Sequence, residues 1–576
     1  MAQSGPAHDR LIVATFAAAA GLAGLAFAIA VFGTPMVDPA SIDWLMQADR
    51  AQGFLGWEFY RNEPETFPLG QIRSLLAPVG ASLAYTDAIP WLAIVLKPLS
   101  PVLPPTFQFA GLWIALGDAL QGVFGFLILQ RLLDEPLTSF AGSLLIIISP
   151  VLLHRKGHIS LCGQWLLLAA LLAYVATRRP RNTRSFLIWW APLIILACGT
   201  HPYLAMMIVM LACAASIDGA VSRGRAEATS CERRRRGTVQ VGLRLICVLV
   251  LAAVSLYAFD YFGDASPEEH GFGLYSANLL SLVDPREWST LVPELAGTPG
   301  EYEGFGFVGS GVILVAAIAA ILRLCGRRPA ATAAQREGRK WGLVLALAAM
   351  TLFAFGSHLR FGPWEIADLT AAYGWIEPVP SIFRSSGRFI WPLHYICILA
   401  AIVCLVRSIG RPRIATLALL VAVVVQLGDS WHVYAAQNVI WMALQNDWNP
   451  LRSPAWSELG RDYAEIRLVP PYVHDATCLP SSYPPYFYIP FAYVAALQHM
   501  RINSAHLSRQ PQARITAACE ALDREIAAGE LDAASVYVVS DDVFRELAER
   551  HPGAARCQRI DGFNVCVRAD RPHPPG

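Results

Sequence analysis

The chain has 576 residues, of which 55% are hydrophobic and only 15% charged. Soluble domains carry about 25% charged residues, so the composition excludes an ordinary soluble domain and indicates a multispan membrane protein. A net charge of +1 by itself says nothing of nucleic acid or acidic partners; no nucleic-acid partner is expected.

The first apolar run, 11–33, follows Arg10. It exceeds the 7–15 residues of a signal-peptide core and no A-x-A-like site closes it, so it reads as a retained transmembrane helix. Further apolar stretches lie near 106–131, 138–153, 160–177, 186–199, 203–217, 239–262, 306–324, 341–357, 391–407 and 413–431, which makes about eleven spans. Residues 88–102 (AIPWLAIVLKPLSPV) hold Lys97, Pro90, Pro98 and Pro101. Proline kinks helices and removes donors, so this stretch reads as interfacial or re-entrant.

The excess of Lys and Arg in cytoplasmic loops orients the chain. With the N-terminus inside, QRLLDEP, RRPRNTR (178–184), SRGRAEATSCERRRR (222–236), RLCGRRPAATAAQREGRK (323–340) and RSIGRPR (407–413) all fall inside. Counting 88–102 as a span would move RRPRNTR outside. The favoured threading leaves the segment 34–105, HRKGH (154–158), GTHPY (199–203), the loops 263–305 and 358–390, and everything after about 432 on the outer face.

From about 450 the pattern changes. EIRLVPP, RINSAHL, SVYVVS and NVCVR read as strands; PYFYIPFAYVAALQHM, ARITAACEALDREIAAG and DDVFRELAERH read as helices. Alternating strands and helices predict a small α/β sheet. The expected fold is therefore a polytopic α-helical membrane protein, N-in and C-out, over 1–445, with an extracytoplasmic α/β domain over 446–576. Cys478, Cys519, Cys557 and Cys566 lie in that domain and suggest two disulfides. Cys557 with Cys566, flanking RIDGF, is the favoured pair among three connectivities. The absence of a C-x-x-C spacing there argues against a zinc site.

The polar residues of interest collect on the expected outer face. Segment 34–105 holds Asp43, Asp49 and Asp87, and its stretch 42–60 has helical apolar spacing in Trp44, Leu45, Phe54, Leu55 and Phe59. That spacing predicts an amphipathic helix along the membrane surface. Its acids form either a solvated face or a general base in a cleft. HRKGH offers Arg155 and Lys156 as anion ligands, and His154 and His158 as proton or metal groups. GTHPY offers His201, EYEGFG (301–306) offers Glu301 and Glu303, and IFRSSGRFIWP (382–392) offers Arg384 and Arg388. Arginine grips phosphate with a bidentate fork and lysine as a point charge. Each has a plain structural alternative, a satisfied histidine or a helix-end anchor. Cations on the outer ends of spans oppose the orientation bias, however, and so point to a ligand.

Four stretches, DWLMQADRAQGFLGWEFYR, YTDAIPWLAIVLKPLSP, SPVLLHRKGHISL and FRSSGRFIWPLHY, resemble the GT-C superfamily of membrane glycosyltransferases. They more closely resemble a bacterial multispan membrane family of unassigned activity in that neighbourhood. The resemblance implies a bacterial inner-membrane protein with a catalytic acid in the first large outer loop. It implies a polyprenyl-phosphate-linked sugar as donor and a glycan, lipid or protein as acceptor. Carried over by position, Asp49 is the first choice of base, followed by Asp43 and Asp87. Arg155, Lys156, His158, Arg384 and Arg388 are the expected ligands of the donor phosphate; His154, His201 and Glu303 border the cleft. No adjacent pair of acids follows the first helix, which leaves the base and any divalent-metal requirement open.

A transporter or flippase would place ionisable residues within the spans. Here the spans are nearly free of them, Asp118 being the chief exception, which favours surface chemistry. A non-catalytic envelope-assembly protein, binding through the C-terminal domain, is the third reading.

Overall fold

The computed structural model describes residues 6–177, 182–226, 231–263, 271–326, 340–443, 448–473 and 486–572. Cys478, the basic stretches 178–181 and 327–339, and residues 227–230 lie outside the described residues. Helix α1 (Pro6–Phe32) leads into the segment 34–105, which carries α2 (Ala48–Tyr60), strands β1 (Gln71–Ile72) and β2 (Ala81–Ser82), and α3 (Pro90–Leu96). Then come α4 (Ala110–Leu133), α5 (Pro136–Ile147), α6 (Pro150–His154), α7 (Trp165–Ala176), α8 (Thr183–Cys198), α9 (Pro202–Ala226) and α10 (Cys231–Ala258). After a long connection follow α11 (Ser310–Leu324) and α12 (Trp341–Ala354), the hairpin β3 (His358–Phe361) and β4 (Trp364–Asp368), and the one-turn helices α13 (Thr370–Tyr373) and α14 (Val379–Ile382). The helices α15 (Trp391–Ile409), α16 (Pro412–Asp429) and α17 (Trp431–Ala443) complete the helical region.

Each of the apolar stretches is helical, and among the described residues eight helical stretches are long and apolar enough to cross a membrane. The chain is a helical membrane protein. Helices α8, α11 and α12 are shorter, and 88–102 is helical only from Pro90 to Leu99. Helix α17 lies where no helix was expected. In the bundle, α1 and α4 touch backbone to backbone: a Cβ on Gly122 would lie 2.2 Å from the Ala20 carbonyl oxygen. Small residues allow this approach where apolar lipid gives helices no other reason to associate.

The stretch 42–60 is helical as its spacing predicts, but it does not lie on a surface. Every residue of α2 from Ala51 to Tyr60 is buried. The Trp57 indole donates to the Phe107 carbonyl at 2.8 Å. Phe54 packs on Tyr493 of the C-terminal region, ring centres 6.2 Å apart. Gly56 leaves room for Thr86, whose Oγ1 would lie 2.4 Å from a Cβ there. Protein, not water, covers the second face.

The C-terminal region begins with α18 (Ala455–Glu458) and builds a five-stranded sheet from β5 (Glu465–Val469), β6 (Arg501–Ile502), β7 (Ser535–Val539), β8 (Ala555–Ile560) and β9 (Phe563–Arg568). The order is β6-β5-β7-β9-β8. Strands β6, β5 and β7 are parallel, and β9 runs antiparallel to both neighbours. Helices α19 (Ile489–Leu497), α20 (Gln512–Ala528) and α21 (Asp541–Arg550) pack around it. Strand β8 was not read from the sequence. Cys557 and Cys566 are register partners on β8 and β9 and are disulfide-bonded; Cys519 is disulfide-bonded as well. Segment 34–105 is tied to this sheet. Ile502 donates to the Ser74 carbonyl at 2.9 Å and accepts from the Ala77 amide at 2.8 Å.

Candidate functional site

The HRKGH turn exists because Ser149–Pro150 interrupts the helix between α5 and α6. Proline at the first position of α6 restarts the helix for one turn, and the chain then turns through Arg155–His158 into a 3-10 segment ahead of α7. The turn is closed by Arg155 N to Leu152 O at 3.3 Å, Lys156 N to Leu153 O at 3.2 Å and His158 N to Arg155 O at 3.0 Å. Such a tight turn splays successive side chains in different directions.

Arg155 points to Glu303, at 2.8 Å, and donates to the Tyr302 carbonyl at 2.6 Å. Arg388 grips the same carboxylate with two nitrogens, at 2.8 and 3.0 Å. All three side chains are buried. Two glycines bring them together: a Cβ on Gly387 would lie 2.6 Å from the Cα of Gly304, so the residues beside them, Arg388 and Glu303, meet. Burial alone would raise the Glu303 carboxyl, but Arg155 and Arg388 outweigh it and hold the group well below the usual carboxylate range. Lys156 turns the other way, into the bundle, and pairs with Asp118 of α4, both buried.

These pairings change the assignment of the phosphate ligands. Arg155, Lys156 and Arg388 were expected to face a donor phosphate, yet each is occupied by a buried carboxylate. Arg384 has its Cδ beside Gly271. Asp118 is a counter-ion rather than an isolated acid within a span, and Glu303 is the centre of an ion triad rather than a bordering residue. His154 packs on Phe305 with ring centres 4.7 Å apart and lies 3.3 Å from the Tyr302 carbonyl. His201 accepts the Tyr203 amide at 3.3 Å, and burial with the nearby charge of Arg388 keeps it neutral.

The acids of segment 34–105 separate. Asp43 accepts from the Trp448 indole at 2.8 Å, a tether to the C-terminal side of the molecule. Asp49 and Asp87 both meet the end of HRKGH. His158 Nε2 lies 3.8 Å from Asp49, and the Ser160 hydroxyl donates to Asp87. Burial first, then the charge of Arg388, pushes His158 down to about 4, so its imidazole is uncharged at neutral pH. Burial, reinforced by Asp49, pushes Asp87 up to about 6 against the Ser160 hydrogen bond. The second carboxylate oxygen of Asp87 is buried with no hydrogen-bond partner.

Two further residues at Asp49 come from the C-terminal region and were not read from the sequence. His506 Nε2 lies 3.4 Å from Asp49. Tyr486 has its phenol raised by burial and then by the charge of Asp49 and a hydrogen bond to it. Asp49 also lines a cavity of about 740 Å³ with Arg50, His154, Lys156, Gly157 and Arg286. Arg50 stacks over Trp441 at 5.1 Å, and Arg286 donates to the Thr298 carbonyl at 3.3 Å. Neither is within salt-bridge distance of a carboxylate among the described residues. Glu287 and Glu294 form an exposed rim. Helix α17 contributes Val433, Ala436, Ile440 and Trp441 beside His432 and Gln437. The cavity is therefore lined by one half-buried acid, two arginines and a mixed apolar and polar face of α17. Among the described residues no group of three or more His, Cys, Asp or Glu side chains is arranged to hold a metal ion.

Fold and site together define a helical membrane protein with an acid-bearing cavity and a C-terminal α/β region from which His506 and Tyr486 reach the same acid. A family model described as "Domain of unknown function (DUF6311)" matches residues 21–431, and one described as "DUF6311 C-terminal domain" matches 455–568. The chain belongs to the DUF6311 family. No curated protein matches it.

Proposed function

We propose that this protein is a GT-C-type glycosyltransferase that moves a sugar from a polyprenyl-phosphate donor to an acceptor hydroxyl on the outer face of the bacterial inner membrane. The observation that carries the reading is Asp49, half-buried in a cavity that it shares with Arg50, Arg286 and apolar side chains of α17. In this reading the eleven helices thread N-in and C-out, with the basic loops inside and the cavity outside.

Asp49 takes the proton of the acceptor hydroxyl. The acceptor oxygen bonds to the anomeric carbon, and the bond from that carbon to the phosphate oxygen breaks. Polyprenyl phosphate leaves with the electron pair. Arg50 and Arg286, not Arg155 and Lys156, face the charge that develops on the leaving phosphate. The α17 wall receives the first isoprene units. Neutral His158 lies on one side of Asp49, and His506 and Tyr486 on the other orient its carboxylate. The Arg155–Glu303–Arg388 triad holds the HRKGH turn in place.

Binding tests the donor half of this reading. Native mass spectrometry of the full chain with undecaprenyl phosphate should show a 1:1 complex. Arg50→Ala and Arg286→Ala should each weaken it about tenfold, the value of one charge-assisted hydrogen bond. Unchanged binding in both variants would remove the cavity as the phosphate site.

A flippase reading draws on one observation, the buried Lys156–Asp118 pair inside the bundle. It requires that pair for function. Sugar transfer retained in the double variant Lys156→Met/Asp118→Leu would eliminate it.

A further inference from the structure

We propose that the β3–β4 hairpin and the turn after α13 lie on the bilayer surface, with an apolar face set into the boundary between lipid headgroups and acyl chains. The proposal rests on the chain being a helical membrane protein, and it holds whatever reaction Asp49 performs.

The hairpin is built inside out. Side chains alternate between the two faces of a strand. Phe361 and Trp364 are register partners, Ile366 shares the face of Trp364, and all three are exposed, Trp364 by 67%. The opposite face turns to protein. Arg360, the register partner of Glu365, donates to the Thr298 hydroxyl at 3.2 Å and lies 3.8 Å from Glu301. His358 lies 3.2 Å from Glu365. A hairpin in water packs its apolar side chains inward and shows its polar ones; this one does the reverse.

The arrangement is fixed. Asn278 clamps the tip: it accepts the Gly362 amide at 3.0 Å and donates to the Gly362 carbonyl at 2.9 Å. Gly362 has φ +58, the left-handed backbone that glycine adopts freely. The Leu279 amide donates to the Arg360 carbonyl at 3.0 Å. Rolling the hairpin over to bury Trp364 would break these bonds.

What covers the face follows from its place beside α12. That helix starts with Trp341 after Lys340, side chains that sit at a membrane interface. Its 14 residues reach about 21 Å, short of the roughly 30 Å of a hydrocarbon layer. The chain past Ala354 therefore lies at the depth of the boundary, and His358 follows within about 14 Å. Leu345 and Leu352 are exposed on one side of α12 and mark its lipid-facing flank. The Tyr373 hydroxyl donates to the Leu352 carbonyl at 3.0 Å. That bond brings the turn after α13 to the same flank, where Trp375 is 90% exposed and Ile376 is exposed as well. Tryptophan concentrates at this depth because its ring is apolar and its N–H reaches water. A second copy of the chain fits the hairpin less well. The exposed parts of Phe361, Trp364 and Ile366 come to a few hundred Å², against about 800 Å² per partner in a standard protein interface.

Photocrosslinking of the full chain in phosphatidylcholine nanodiscs tests the proposal. p-Benzoylphenylalanine is placed at Trp364, Ile366 or Glu365, one position at a time. All three are exposed, and surface replacements leave stability almost unchanged. Intact-mass spectrometry after irradiation reads the addition of one lipid. Adducts are expected at positions 364 and 366 in yields several-fold above that at 365, whose side chain turns to the opposite face. A yield at either position no higher than at 365, or a crosslinked dimer in place of the lipid adduct, would overturn the proposal.

Discussion

The two ends of HRKGH treat charge in opposite ways. At its start, Arg155 and Lys156 are buried against Glu303 and Asp118, and a third cation, Arg388, closes the first pair into a triad. At its end, His158 lies 3.8 Å from Asp49 and the Ser160 hydroxyl just beyond donates to Asp87. Paired buried ions fix geometry and are costly to break. A half-buried carboxylate on a cavity wall keeps its access to that cavity. The first half of the motif is scaffold, and the second half faces the chemistry.

That contrast is easiest to break at Glu303. Glu303→Gln leaves two buried guanidinium groups facing each other and should cost about 3–5 kcal/mol, read as a large drop in the unfolding temperature of the purified full chain. A loss no greater than that of an exposed Glu→Gln control such as Glu294→Gln would show that the triad is not structural.

The Lys156–Asp118 pair sharpens the same point. Lys156→Met and Asp118→Leu should each destabilise by about 3 kcal/mol because each strands a buried charge, while the double variant should recover most of the loss. Additive losses in the double-mutant cycle would mean that the two groups do not depend on each other.

At the other end the expected effects are smaller and depend on pH. Asp87 has a folded pKa of about 6 against an ordinary value of 3.8. Between about pH 4 and 6 the folded chain holds a proton that the unfolded chain releases, so this group's contribution to stability falls as pH rises through that window. Asp87→Asn removes the penalty and can still accept from Ser160. It should stabilise by about 1 kcal/mol at pH 7.5, after allowance for solvent screening, and not at pH 4. A variant that is less stable at pH 7.5 than at pH 4, relative to wild type, would contradict the assignment. His506→Ala should have the smallest effect, a loss of about threefold to tenfold in turnover with the unfolding temperature unchanged and partial rescue in His506→Gln. Loss of stability instead of turnover would make His506 a packing residue.

Much of this was legible in the residues. Apolar length marked stretches that are helical, eight of them long enough among the described residues to cross a membrane; alternation marked four of the five C-terminal strands, and the nine-residue spacing of Cys557 and Cys566 fitted a hairpin cross-link. The meeting of Asp49 with HRKGH followed from placing both on one side of the chain's threading. What was not legible is non-local. Glu303 lies 148 residues from Arg155 and 85 from Arg388, and no periodicity announces that a Gly304–Gly387 crossing will join them. The burial of α2 depends on what covers its second face, and amphipathic spacing describes only the first. His506 and Tyr486 reach Asp49 because Ile502 extends a sheet edge with residues 74–77, a tertiary event with no local signal. Asp49→Arg50 adjacency hid Arg50, which reads as a neighbour of the acid rather than as a ligand in its own cavity.

The central claim is that Asp49 is the base of a sugar transfer from a lipid phosphate. Membranes bearing the full chain would be given a panel of radiolabelled polyprenyl-phosphate hexoses, and consumption of the donor compared between wild type and Asp49→Asn at matched expression. The account predicts that wild type consumes at least one donor and that Asp49→Asn slows it by about 10²–10⁴-fold. Equal consumption by the two proteins would contradict it.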